Sequence, residues 1–367
     1  MAISSSSSSP DSQILCASFN QDNSCFAIGT KDGFRLFDAH SGRLRYERVI
    51  GAFSIVEMLF STSLIAIVGA GEQPSLSPRR LCLFDFVTGS ALRELNFLTT
   101  ILAVRINRKR LIVVLQEKTY IYDVNSLAIL DTIDTVPNSK GLCAFSPISE
   151  ASYLALPAST NKGSVLVYNT IELQSLCQID AHCSPLAALV FSSNGMYLAT
   201  ASEQGTLIRV HLVSQATKSY SLRRGAYPST IYSLSFGPSA DLPDILVATS
   251  LSGSLHAFLL GPIVKRKKRP NKLLGSIIPE PFIDAFESSY HYVIHNVSLT
   301  GVKSCAAVSS TNCIQSSSAR PTVQSSIYVI TSDGHFYDYR LNITSLNELS
   351  WNLEREINLI GTLRDHN

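Results

Sequence analysis

Charge is scarce in this 367-residue chain: Asp, Glu, Lys and Arg together make up 16%. The formal net charge is +2. That excludes a broad basic surface of the kind that holds a nucleic-acid duplex, because phosphate neutralisation needs many cations on one face. None of the eight cysteines forms a C-x-x-C pair, and most sit in apolar runs, where a thiol behaves as a small buried hydrophobe. A disulfide framework is not expected in a chain this long with 45% apolar residues. No uninterrupted apolar run reaches the roughly 18 residues of a transmembrane helix. The start, MAISSSSSSPDSQ, has no charged or apolar segment and reads as a serine tail over residues 1–11 rather than a secretory signal. The expectation is a cytosolic protein whose membrane contact is peripheral.

Catalytic signatures are missing as well. There is no G-x-S-x-G elbow, and GAGEQP at 69–74 has Pro where a dinucleotide loop needs its third Gly. His291 and His295 have H-x-x-x-H spacing, but Tyr292 stands where a zinc protease needs Glu, and the stretch reads as strand. Carboxylates are scattered over turns without a recurring pair. The reading is a protein that is not an enzyme and uses no cofactor or metal.

What the chain does have is a repeat. An apolar strand, a turn, a second apolar strand, another turn and a strand ending near Asp or Asn recur, first as ILCASFNQDNSCFAIGTKDGFRLFD at 14–38. The anchors Phe19, Phe60, Ile106, Phe145, Phe191 and Phe236 are 41, 46, 39, 46 and 45 residues apart. Several strands per unit at a spacing of about 40–45 residues indicate propeller blades. Seven units fill residues 12–345, so the fold class is an all-β, seven-bladed WD40-like β-propeller. The WD dipeptide is absent, and the single Trp351 lies beyond the last repeat, in a tail over 346–367. Two segments break the spacing: 261–282, inserted after the sixth unit, and the serine-rich 309–326, which reads as a flexible loop.

Within the repeats, SLRRGAYPST at 221–230 places two arginines side by side at the end of a strand. Neighbouring strand residues point to opposite faces, so Arg223 and Arg224 need two destinations. Taken alone, such a pair is an ordinary solvated edge or a salt bridge. ATASEQGTLIR at 199–209, followed by LRRG at 222–225, resembles the PROPPIN family, the phosphoinositide-binding propellers that include the WIPI proteins. VEMLFSTSLIAIVG, SPRRL and DGHFYDY resemble the same family, over roughly residues 12–345. Its usual tetrad is FRRG; Leu222 here replaces Phe.

The resemblance implies two head-group pockets. Arg223 would share the first with His182, Ser202, Thr206 and Arg209, and Arg224 the second with Thr230, Ser233, Ser250, Ser254 and His256. Arginine suits phosphate because its donor fork matches two oxygens at once. In TSLSGSLH at 249–256, Leu251 stands where the family commonly has Asp and Ser254 where it has Thr. The resemblance further implies binding of phosphatidylinositol 3-phosphate and 3,5-bisphosphate, by a scaffold peripheral on pre-autophagosomal, endosomal or vacuolar membranes and monomeric when soluble. The 261–282 insert joins Lys265, Arg266, Lys267, Lys268 and Arg269 to Leu273, Leu274, Ile277 and Ile278, and corresponds to the family's membrane-inserting loop. Basic residues near an anionic surface contribute about 1 kcal/mol each. SPRRL at 77–81 falls in a loop between the second and third units, and Pro78 and Arg79 match the motif that contacts an autophagy lipid-transfer partner. The competing readings are a WD-type protein–protein scaffold without lipid binding, nuclear if KRKKRP is an import tag, and a propeller hydrolase with clustered carboxylates in its central channel.

Overall fold

The computed structural model describes residues 14–148, 150, 152–238, 245–260, 291–314, 322–344 and 349–360. They form seven four-stranded antiparallel sheets, each built from strands consecutive in sequence. Blades 1 to 7 span 14–49, 53–96, 103–134, 144–182, 186–223, 231–294 and 304–358. The described helical content is one 3-10 turn, Val213–Gln215. No described helix is long and apolar enough to cross a membrane.

Each blade is apolar on both faces because it is sandwiched between two others. Two of the second strands, Cys25–Thr30 and Ile245–Ser250, are buried at every position. Alternate residues of one strand enter different interblade layers. In blade 5, Ala199, Ala201, Ile208 and Val210 pack with Ile231, Leu246 and Phe258 of blade 6, while Leu198 of the same strand packs with Val165 and Ala181 of blade 4. The ring closes between blades 7 and 1, where Phe26 stacks on Phe37 and Phe336 at 4.9 Å from each. Burying these faces is the main favourable term in the fold.

Several details differ from the sequence reading. The repeat reading recognised three strands per unit and missed the outer fourth strand, because segments such as LRYERV (Leu44–Val49) and SALRELN (Ser90–Asn96) are largely solvent-facing and polar. Within the expected tail, Leu349–Asn358 is the outer strand of blade 7, and Trp351 stands on it, edge-on to Tyr339. The stretch 309–326 is not a loop throughout either, since Ser304–Ile314 and Thr322–Thr331 pair as strands. Phe60 is not the blade 2 anchor. It sits in a turn at φ +48°, its ring under Arg108, and Met58 pairs with Ile65 as Phe19 pairs with Phe26. Finally, SPRRL lies within blade 2, where 70–79 connects Leu64–Gly69 to Arg80–Asp85.

Candidate functional site: two clefts flanking blade 5

The outer strand of blade 5, Thr217–Arg223, pairs with Leu207–Leu212 so that Arg223 faces Leu207, Leu222 faces Ile208 and Ser221 faces Arg209. Cross-strand partners share a face. Leu222 and Ile208 are therefore buried together between blades 5 and 6. This is why an apolar residue, Leu or Phe, precedes the arginines. Arg209 and Arg223 take the other face, towards blade 4. There the Arg209 guanidinium donates to the carbonyl of Ala181, near the end of blade 4's outer strand.

The first cleft assembles around that contact. His182 Nε2 lies 2.9 Å from Thr200 Oγ1, and Thr200 Oγ1 donates to the Arg209 carbonyl at 3.3 Å. Ser202 is buried two residues along from Thr200, on the same face, and half-buried Thr206 follows Gly205 in the adjoining turn. Burial, reinforced by the Arg209 charge, pushes the His182 imidazole down to about 4, so it is neutral at pH 7. Arg209 Nε is buried without a partner among the described residues. The Arg223 side chain is exposed and makes no hydrogen bond or ion pair among them. Thr200 was missed by the sequence reading, although its alternation with Ser202 was visible.

Arg224 turns the opposite way. Its backbone N–H donates to Thr206 O at 2.9 Å, its Nε donates to Gly205 O at 2.6 Å, and its Nη2 donates to Tyr227 O. It is 9% exposed and has no carboxylate partner among the described residues, so it is neither the solvated edge nor the salt bridge that such a pair ordinarily makes. Backbone carbonyls supply the contacts that a buried guanidinium requires. Its charge is felt by His256 and His291 of blade 6. His256 Nδ1 sits 3.0 Å from His291 Nε2, the rings are stacked, and Phe258 stacks on the other histidine at 4.4 Å. Burial first, then His291 and Arg224, push His256 down to about 3. Its Nε2 is buried with no partner among the described residues.

Hydroxyls border this second cleft. Ser250 Oγ is 2.9 Å from Ser252 Oγ, Ser252 Oγ donates to Ser254 Oγ at 3.4 Å, and Ser252 N–H donates to Ser229 Oγ at 3.2 Å. The Thr230 carbonyl receives the Leu251 N–H. Ser229, Ser252 and His291 are further members that sequence reasoning did not single out for this cleft. Ser233 does not belong to it. It pairs with Thr249, whose neighbours Val247 and Leu255 face blade 7, and its Oγ contacts Thr249 Oγ1 and accepts from Ala306 N–H. A register shift between Ile231 and Ser233 moves it to that face.

Elsewhere Arg35, Arg45, Arg80, Arg105, Arg110, Arg340 and Arg355 each have a carboxylate within 3.6 Å. Arg209, Arg223 and Arg224 have none among the described residues, as is also true of Arg43, Arg48, Arg79, Arg93 and Arg108; what sets the three apart is that they converge on one end of blade 5. Three cations without counter-ions among the described residues, with neutral imidazoles and hydroxyls beside them, have the chemistry to hold an anion that also carries hydroxyl groups. Gly225 between them faces open space, so no side chain obstructs an approaching group.

The other expected sites divide. Arg79 is exposed and Pro78 half-buried; their carbonyls accept from Phe97 and Ile101, which ties this loop to the approach to blade 3. Lys265, Arg266, Lys267, Lys268, Arg269, Leu273, Leu274, Ile277 and Ile278 lie outside the described residues. The central channel, about 640 Å³, is lined by the inner strands. Of the carboxylates there, Glu57 pairs with Arg105 at 3.6 Å and Asp22 accepts from Ser24, so the described lining shows no cluster. No described group of His, Cys, Asp and Glu could hold a metal ion.

The PROPPIN family's sequence model matches residues 13–349. Autophagy-related protein 18b of Arabidopsis thaliana is 62% identical over 96% of this chain and 98% of its own. Autophagy-related protein 18 of Yarrowia lipolytica is 34% identical over 89% and 92%. Among solved structures, Kluyveromyces lactis Hsv2 superposes with a TM-score of 0.73 at 18% identity, covering 95% of this chain and 99% of that one. A Kluyveromyces lactis Atg21, solved with the coiled coil of an Atg16, superposes with a TM-score of 0.69 at 22% identity, covering 95% and 99%. With a matching model over nearly its whole length and a close relative over the same span, this chain belongs to the PROPPIN family.

Proposed function

We propose that this protein is a non-catalytic scaffold of autophagy, held peripherally on membranes that display phosphatidylinositol 3-phosphate or 3,5-bisphosphate. The observation that carries the reading is the divergence of Arg223 and Arg224 into two clefts lined with hydroxyls and neutral imidazoles, with no carboxylate partner among the described residues. Guanidinium forks take the phosphates; Thr200, Ser202, Ser229, Ser250, Ser252 and Ser254 suit the inositol hydroxyls. Two anchors on one edge hold a protein on a membrane where one alone gives marginal attachment.

The basic and apolar residues of 261–282 supply a further anchor in this reading. Lys265 to Arg269 draw the segment to the anionic surface, and Leu273, Leu274, Ile277 and Ile278 enter the lipid. Pro78 and Arg79, blades away, serve an autophagy partner, by family likeness the lipid-transfer protein. The Atg16 coiled coil bound to Atg21, a propeller of the same fold, supports an autophagy protein partner for this chain.

The test is flotation with vesicles of stated phosphoinositide content. Replacing both Arg223 and Arg224 by Thr in a folded protein should abolish flotation. Changing Leu274, Ile277 and Ile278 to Asp should weaken flotation while leaving affinity for soluble inositol 1,3-bisphosphate intact. A folded double-arginine variant that floats like wild type would overturn the pocket assignment.

A further inference from the structure

Three loops meet at the end of blade 6 above Arg224. The 225–230 loop is fastened below by Arg224 to the Tyr227 carbonyl and sideways by Ser229 N–H to Gln204 O at 3.0 Å. The 251–254 turn donates from Leu251 N–H to Thr230 O at 2.8 Å and accepts at Leu251 O from Gly301 N–H at 3.0 Å. The 295–302 loop lies across Gly253, where an added Cβ would be 2.1 Å from Ser298 O. The three are one cross-braced surface.

That surface exposes apolar groups that the fold does not need. Tyr227 is 85% exposed, Leu299 74% and Leu251 39%. Isolated exposed apolar residues are ordinary. Here they stand on three loops bonded to one another, one of which receives the buried Arg224 guanidinium, a cation with no carboxylate partner among the described residues. Residues 225–230, 251–254 and 295–302 contain no Asp, Glu, Lys or Arg. A docking site for a charged peptide would present rim charges. An uncharged surface with a tyrosine and two leucines beside a cation matches the head-group–acyl boundary, where amphipathic rings settle and acidic groups would be repelled.

We propose that Tyr227, Leu251 and Leu299 form a second membrane-contacting patch, which seats at the bilayer interface while Arg224 engages the phosphate. This rests on the lipid reading above and adds to it an anchor on the propeller body, separate from the 261–282 segment. Backbone bonds hold the three loops in place, so the patch enters the interface without an ordering cost.

The experiment uses the full chain with the exposed side chains of Tyr227, Leu251 and Leu299 all changed to Ser, its fold checked by thermal unfolding. Flotation with phosphatidylinositol 3-phosphate vesicles and calorimetric binding of soluble inositol 1,3-bisphosphate are measured in parallel. Vesicle affinity should fall on the order of tenfold or more, given the apolar area involved, with soluble binding unchanged. In a second protein, Tyr227→Trp in a Trp351→Phe background leaves one indole, whose emission should shift blue on vesicles. Unchanged flotation of the triple variant, the result a protein occupant would give, overturns the proposal. So does an indole that stays red while the protein is vesicle-bound. Loss of vesicle and soluble binding together would mean that the loops act through the Arg224 cleft, and would also overturn it. A wild-type chain that binds neither probe would sink the lipid reading, and the patch with it.

Discussion

Arg224 Nε donates to the Gly205 carbonyl across 2.6 Å, and Gly205 is held at φ +60° with no space for a side chain: a Cβ there would lie 1.8 Å from Ser229 O. The glycine thus joins Arg224 to the Ser229 loop at one point. Gly205→Ala should lower stability by at least about 1–3 kcal/mol from the left-handed backbone alone, and should displace Arg224. Thermal unfolding and vesicle flotation should both decline; an alanine variant of wild-type stability would contradict the tight approach.

The two arginines should separate stability from binding. The Arg223 side chain is exposed and makes no hydrogen bond or ion pair among the described residues, so Arg223→Ala should change stability by no more than about 0.5 kcal/mol. Arg224→Ala removes charged hydrogen bonds to two carbonyls and should cost about 1.5–3 kcal/mol. Each variant should weaken vesicle binding, with additive free energies if the clefts are independent. A double-mutant cycle read by flotation at a fixed salt concentration measures this.

Acid should destabilise the protein through its histidines. His182 and His256 titrate near 4 and 3 in the folded chain against an ordinary 6.5. The unfolded chain binds those protons first, so this stability is fully present above about 6.5 and is lost as pH falls through the 6.5-to-3 window. His256→Gln should flatten the lower part of the thermal-midpoint profile. An unchanged slope in that variant would mean that the imidazole is not held neutral.

Glu57 should act with the opposite sign. Burial in the channel raises its carboxyl from 4.5 to about 7, more than the Arg105 charge and the Ser18 hydroxyl can offset. Here the folded state binds the proton more tightly, so stability falls as pH rises from about 4.5 to about 7. Glu57→Gln should remove this loss, making the variant more stable relative to wild type at pH 8 than at pH 5. Chemical denaturation at the two pH values gives the comparison.

Pro78 and Arg79 should serve a different partner from the lipid. Their exchange for Ala leaves both clefts untouched, so flotation should be unchanged while capture of the proposed lipid-transfer partner weakens. Loss of flotation in this variant would merge two surfaces that lie blades apart.

Much of this was legible in the chain itself. The recurrence of apolar strands, turns and Asp or Asn ends determined a ring of blades, because a sheet apolar on both faces must be covered twice. Period-two alternation determined that Arg223 and Arg224 diverge, and SEQGTLIR with LRRG was enough to mark blade 5. The outer strands were less legible, since Leu44–Val49 and Ser90–Asn96 have little to bury and lack the apolar signature.

Other features depended on register and on neighbours remote in sequence. Ser233 reads like its companions Ser250 and Ser254, yet a register shift after Ile231 turns it towards blade 7. Ser229 and Ser252 became part of the second cleft only because two loops fold against each other. Trp351 joined a blade only through pairing with Leu341. The burial of Arg224 follows from carbonyls offered by Gly205 and Tyr227, groups every residue carries and no sequence pattern reports. Side-chain alternation is local and is written in the chain; which backbone groups and loops converge on a side chain is a property of the packed ring, and only the tertiary structure decides it.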